Sequence, residues 1–166
     1  RRDLTPHKLS KLVKVSNKLL EYGTLNAEQV VRDEFARIYS ESEEAAYSTG
    51  NGSGQPLGVF SANANGVPTS RDVSTGNSTT AVTFDGLMNA LYSLRAGYRN
   101  KASWVAHSDF ILAARKLKNS TTNEYLWQPS LQVGTPDILL GHPIYSCDFA
   151  PNTFTAGLYV AIVGDF

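Results

Sequence analysis

The side chains able to do covalent chemistry are few: one cysteine, Cys147, and three histidines, His7, His107 and His142. Cys147 with His107 or His142 as base, and Asp109 or Asp148 as orienting carboxylate, would make a cysteine-dependent hydrolase. A nucleophilic cysteine needs a lowered pKa, supplied by a nearby cation or a helix N-terminus. Cys147 instead ends the apolar strand pattern Ile144-Tyr145-Ser146-Cys147, the place of a small buried hydrophobe. No G-x-S-x-G elbow provides a serine alternative. Metal chemistry fares no better: the histidines and Cys147 are scattered, with no H-x-x-x-H, C-x-x-C or H-E-x-x-H spacing. The sequence therefore assigns no catalytic, cofactor-binding or metal residue, and implies no cofactor.

Other candidate motifs have plainer readings. Gly50-Asn51-Gly52-Ser53-Gly54-Gln55-Pro56-Leu57-Gly58 is glycine-rich. A phosphate-cradling loop follows a strand and opens a helix, with Lys-Ser/Thr in the Walker form. This loop follows a helical pattern and holds no lysine, so it reads as a helix stop and turn leading to an extended Val59-Phe60. Glu41, Glu43 and Glu44 read as a solvated or interface face of that helix. The basic runs at Lys8, Lys11 and Lys14 and at Arg115-Lys116-Leu117-Lys118 read as a strand's polar face and a helix end.

The elements that must position these side chains follow from periodicity. Leu9, Lys11, Val13 and Val15 alternate as a strand, with Asn17 to Leu20 as a helical turn stopped by Gly23. Residues 26–48 predict a long helix capped by Asn26, with Gln29 completing a capping box. Its inward stripe is Val31, Phe35, Ile38, Ser42 and Ala45. Residues 61–82 are rich in Ser, Thr, Asn and Gly and read as a polar loop or ribbon. Asp85 caps a helix with Leu87, Leu91 and Leu94 inward. Ala102 to His107 is a short buried strand, and Ser108 or Asp109 caps a helix with Phe110, Ala114 and Leu117 inward. Ile138 to Leu140 and Ile144 to Cys147 are strands joined through Gly141-His142-Pro143, and Leu158 to Val163 is a central strand. Helices interleaved with short strands predict an α+β chain, mixed α/β from 83 onward.

Composition narrows the partners. The 166 residues carry 15 Lys plus Arg and 15 Asp plus Glu, a net charge of zero. That argues against a generally basic nucleic-acid binder and a polybasic membrane-surface protein. No apolar run reaches the roughly 18 residues of a membrane span, and no secretory signal opens the chain. At 18% charged residues, repulsion between copies is weak, which favours neighbours of its own kind. The absent initiator methionine and the strand-like end at Val163-Gly164-Asp165-Phe166 give the look of an excerpt from something longer.

Six segments, in order, resemble the major capsid protein family of tailed phages, with its Hong Kong phage-type fold. They are Lys11–Glu21, Glu43 through the glycine-rich turn to Gly58, Tyr98–Val105, Glu124–Pro129, Leu139–Ile144 and Gly164-Asp165-Phe166. The resemblance implies that residues 1–60 are part of the peripheral domain with its spine helix, 61–82 a polar connector, and 83–166 the axial domain. It implies a virion shell subunit, assembling in the bacterial cytoplasm into hexamers and pentamers. Scaffold, protease and portal would be its partners in the full-length context, and packaged DNA would be enclosed without sequence-specific binding. No cross-linking residue is carried over. An encapsulin-like nanocompartment shell is the alternative on the same fold. The cysteine-dependent hydrolase is the alternative from another class.

Overall fold

The computed structural model describes residues 6–18, 27–61, 67, 73, 81–127, 137–155 and 157–166. The chain divides into two compact units, Arg1–Gly58 and Val59–Phe166. The Asn26 cap, Leu19 to Gly23, and most of the polar stretch 61–82 lie outside the described residues.

In the first unit, helix α1 spans Ala27–Thr49, about 35 Å at 1.5 Å per residue. No proline or glycine interrupts it, and Val31, Phe35, Ile38, Ser42 and Ala45 form a half-buried stripe. The polar side is laced by i,i+3 and i,i+4 pairs. Arg32 meets Glu28 at 2.6 Å, and Arg37 bridges Glu34 at 2.6 Å and Glu41 at 2.5 Å. Hydrogen bonding to Arg37 is the leading cause that holds the Glu34 carboxyl below its ordinary pKa. The Gln29 amide donates to Asp33 Oδ1 at 2.9 Å, an i,i+4 pair, and the expected capping box with Asn26 lies outside the described residues. A correction concerns residues 9–16, which form no strand. Alternation prepares a segment for pairing, but a ladder needs a partner, and none pairs with it among the described residues.

The second unit contains α2 (Phe84–Ser93), α3 (Ala96–Arg99), β1 (Ser103–Ala106), α4 (Ser108–Arg115), β2 (Ile138–Leu139), β3 (His142–Ser146) and β4 (Ala161–Gly164). The four strands form one mixed sheet in the order β2-β3-β1-β4. β1 pairs parallel with β3, Trp104 opposite Ile144, and antiparallel with β4, Trp104 opposite Val163. Parallel neighbours need a crossover, and α4 lies within the one from β1 to β3. β4 was expected at the centre of a sheet; in the described sheet it stands at the edge, with all four residues half-buried.

Alternation along the strands makes two apolar layers. Trp104, Ala106, Leu139 and Ile144 pack with Leu87 and Leu91 of α2 and Phe110 and Ala114 of α4. The second cluster gathers Phe60, Cys147 and Ala150, with Val105, Phe149, Tyr159 and Ile162 against it. Phe60 sits in a turn and not in the expected extended segment.

The caps fall one or two residues before their predicted places. Thr83, extended at φ −117° and ψ 149°, caps α2, its side chain accepting from Gly86 N at 3.1 Å. Asp85 sits in the first turn, where a carboxylate still favours the helix dipole. His107 caps α4, in place of Ser108 or Asp109.

The β2–β3 turn is shorter than predicted. Leu139 pairs with His142 and Ile138 with Pro143, leaving only Leu140 and Gly141 as the loop. Both have positive φ, 51° and 82°, the requirement of a type I′ hairpin turn. Pro143 is tolerated near the strand's start, where its missing donor costs little pairing. A Cβ on Gly141 would meet nothing within 4 Å, so only conformation opposes it. Gly141→Ala should therefore cost about 1–2 kcal/mol, read as a lower denaturation midpoint with unchanged slope.

Candidate functional site

The residues nominated for hydrolysis come close in the backbone, and the nominated base and carboxylate His107 and Asp109 are in contact. Cys147 follows β3 and its N–H donates to Ala106 O at 3.0 Å, so its backbone stands beside the segment leading into His107. Cys147 is buried, 8% exposed, in the cluster with Phe60 and Ala150. The His107 ring turns to its own helix. Its Nδ1 accepts from Asp109 N at 3.1 Å and lies 3.3 Å from Asp109 Oδ2. The accepting cap and the carboxylate contact place opposite demands on the Nδ1 proton, so each protonation state satisfies one of them. His142 Nδ1 lies 3.1 Å from Ala102 O, the geometry of a ring N–H donating to a carbonyl. Asp148 is exposed on the surface.

His107, His142 and Cys147 therefore have local structural tasks. Among the described residues, no group of three or more His, Cys, Asp or Glu could hold a metal ion. No helix of the described residues is long and apolar enough to cross a membrane. Cys147 should react with a thiol reagent slowly in the folded protein and quickly after denaturation. Labelling at the same fast rate in both states would place it at the surface and reopen the hydrolase reading.

A depression of about 330 Å³ runs along α4, lined by Ser108, Ile111, Leu112, Arg115, Asp137 and Ser146. Its charged members neutralise one another, because Arg115 bridges Asp137 across 22 positions of sequence. The Arg115 guanidinium also lies 5.3 Å from the centre of the Trp127 ring, whose Nε1 donates to Ile138 O at 2.7 Å. The basic run beginning at Arg115 is thus partly tied down, and Lys118 Nζ sits 4.7 Å above Tyr125. The Lys118–Tyr125 bridge closes a tight loop in which Asn123 has φ 58°.

The glycine-rich loop folds back on the end of α1. Gly50 N donates to Ala46 O at 3.0 Å, and Gly58 N donates to Gly50 O at 2.8 Å. Asn51 Oδ1 accepts from Ser53 N at 2.9 Å and from Gln55 Nε2 at 3.1 Å, while Gly52 and Gly54 take positive φ. The loop thus spends polar groups on its own turn and on closing the helix end.

A further organised surface feature joins Tyr98 and Arg99, which open one of the family-like segments, to residues outside that segment. At the α2–α3 corner, Arg99 donates to Leu94 O at 2.8 Å, and its guanidinium lies 4.5 Å from the centre of the Tyr92 ring. Met88, Tyr92 and Tyr98 stand exposed there at 39%, 63% and 58%. Tyr92, Arg95 and Arg99 stand at i, i+3 and i+7, a helical spacing, but α2 ends at Ser93 and α3 begins at Ala96, so no single helix carries them.

The family model described as the phage capsid family matches residues 1–166. Among solved structures, the chain resembles the capsid of an empty GTA particle computed with C5 symmetry, at TM-score 0.77 and 27% identity. It also resembles the capsid of the native GTA particle computed with C5 symmetry, at TM-score 0.77 and 29% identity. Each match covers 96% of this chain and 56% of the other, so the chain spans just over half the length of those capsid chains. A search of curated proteins finds no match.

Proposed function

The chain belongs to the phage capsid family, and from that premise we propose that it is part of a major capsid subunit, a structural shell protein of a virion. The observation that carries this reading is the family match over the whole of residues 1–166, supported by the α+β fold shared with capsid chains. The surface fits the role: aromatic and cationic side chains are held in place on the outside, while His107 serves as a cap and Cys147 lies in the core.

Residues 1–60 are read as part of a peripheral domain with α1 as its spine, 61–82 as a polar connector, and 83–166 as an axial domain. Copies assemble as hexamers and pentamers, formed in the bacterial cytoplasm with scaffold, protease and portal. The shell encloses DNA without sequence-specific contacts, in keeping with a chain whose charges cancel. Its chemistry is association and not turnover.

Expression of the full-length chain, with electron microscopy of the product, tests the reading. Closed shells of uniform size are expected. A product that stays monomeric in the presence of its scaffold and protease overturns it. Shells that recruit a cargo enzyme in place of DNA would move the protein to the nanocompartment branch of the same fold.

A further inference from the structure

The α2–α3 corner is built for contact. α2 buries Leu87 and Leu91 and leaves Met88 and Tyr92 on its outer side. Arg99 clamps the corner by donating to Leu94 O and stacking against Tyr92, so the aromatic platform is ordered before any partner arrives. Tyr, Met and Arg are the side chains enriched in protein–protein interfaces, and Tyr and Arg are also frequent hot spots. The corner also carries unbalanced charge. Arg95, Arg99 and Lys101 lie in a stretch with no acidic residue between Asp85 and Asp109.

The complementary surface lies on the same sequence. From Ile38 to Gly58 there is no lysine or arginine, and beyond Glu41, which Arg37 bridges, stand Glu43 and Glu44. α1 has no basic residue in its last turn to offset the negative end of its dipole. Glu43, Glu44 and Tyr47 are exposed there, Tyr47 at 56%.

We propose that the α2–α3 corner of one copy docks on the C-terminal half of α1 of a second copy. Arg95 and Lys101 meet Glu43 and Glu44, around a packed centre of Tyr92, Tyr98 and Tyr47. The proposal rests on the shell reading and names one of its subunit contacts. The contact is heterologous, one patch meeting a different patch, as the subunits of a closed ring require. Nucleic acid is the weaker occupant. Arg99 is already committed to a carbonyl and a ring, which leaves two cations where phosphate-driven binding needs many.

The test uses the full-length chain, followed by sedimentation and electron microscopy at moderate salt. The pair Arg95→Glu/Lys101→Glu and the pair Glu43→Lys/Glu44→Lys should each reduce assembled particles by about tenfold or more, because like charges then face each other. The fourfold variant should recover most of the loss. Circular dichroism checks that each variant is folded. As a measurement independent of these variants, Tyr98→Cys in one copy and Tyr47→Cys in another should form an intersubunit disulfide on oxidation.

Folded reversal variants that assemble normally overturn the contact, as does a fourfold variant without recovery or the absence of the Tyr98→Cys/Tyr47→Cys crosslink. Shells that assemble from Arg95→Glu/Lys101→Glu but lose only their DNA overturn it in favour of a nucleic-acid surface. If the unaltered full-length chain fails to assemble, the shell reading falls and takes the contact with it. If the unaltered chain assembles and the variants do too, only the contact falls.

Discussion

Trp104→Ala is expected to destabilise the second unit by about 3–5 kcal/mol, the largest single-side-chain effect among its core residues. Trp104 is 2% exposed in β1, the strand flanked by β3 and β4, facing Ile144 on one side and Val163 on the other. It packs in the cluster joining the sheet to α2 and α4, so truncation opens a cavity that three elements would have to collapse together to fill. Trp104→Phe should behave very differently. The Trp104 indole Nε1 is buried and has no hydrogen-bond partner among the described residues, and an unmade buried donor costs about 1–3 kcal/mol. Phenylalanine gives up apolar contact but also removes that donor, so its net cost should stay below about 1.5 kcal/mol. Denaturant unfolding followed by far-ultraviolet circular dichroism, with Trp127 fluorescence as a second probe, measures both. Equal losses for the two variants would mean that the indole N–H makes a stabilising bond after all.

The same strand shows what sequence could and could not reveal. Burial of Trp104 and Ala106 was legible because β1 carries apolar residues on both faces, as a strand covered on both faces must. α1 was legible almost to its ends, Ala27–Thr49 against the predicted 26–48, because a long uninterrupted stripe stops at a glycine cluster. Pairing was less legible. The alternation in residues 9–16 matched that of a strand, yet only a neighbour supplies the ladder, and alternation does not encode the neighbour. Likewise β4 is apolar on both faces yet stands at the described sheet's edge. Caps were misplaced for a local reason: Thr83 and Asp85 both accept hydrogen bonds, and the extended backbone at Thr83 decides between them.

The candidate site was less legible than the fold. The chemically capable residues attracted attention because of their type, but His107 is a helix cap and Cys147 is core. The side chains that organise the surface act through pairs seven, twelve and 22 positions apart: Tyr92 with Arg99, Trp127 with Arg115, and Arg115 with Asp137. Each pair joins residues outside any one shared element, so only the folded chain brings them together. A shell protein sharpens this problem, since its function lies in surfaces made by folding and not in a motif of reactive groups.

Gly58→Ala should be strongly damaging to the first unit, and the reason is space, not backbone angle. A Cβ at Gly58 would lie 2.5 Å from both Gly50 N and Ser48 O. Both are backbone atoms at the end of α1, so no side-chain rotation can make room. Relief requires the loop to open, which sacrifices the Gly58 N to Gly50 O bond of 2.8 Å and the Asn51–Leu57 bridge. Gly50 faces the same obstacle from the other side, where a Cβ would collide with the carbonyl oxygens of Pro56 and Ala46. Backbone overlap joined to the loss of a closing bond should cost about 3 kcal/mol or more. Gly54→Ala is the matched control: its φ is 71°, but a Cβ there meets nothing within 4 Å. It should lose only the conformational strain of about 1–2 kcal/mol. Limited proteolysis between residues 50 and 58 and denaturant midpoints separate the two. Gly58→Ala should expose the loop to cleavage, and Gly54→Ala should not. A Gly58→Ala variant as mild as Gly54→Ala would mean that the loop does not close on the helix end. Gly58→Ala should also weaken assembly beyond its stability loss, because the closed loop fixes the end of α1 that presents Glu43, Glu44 and Tyr47.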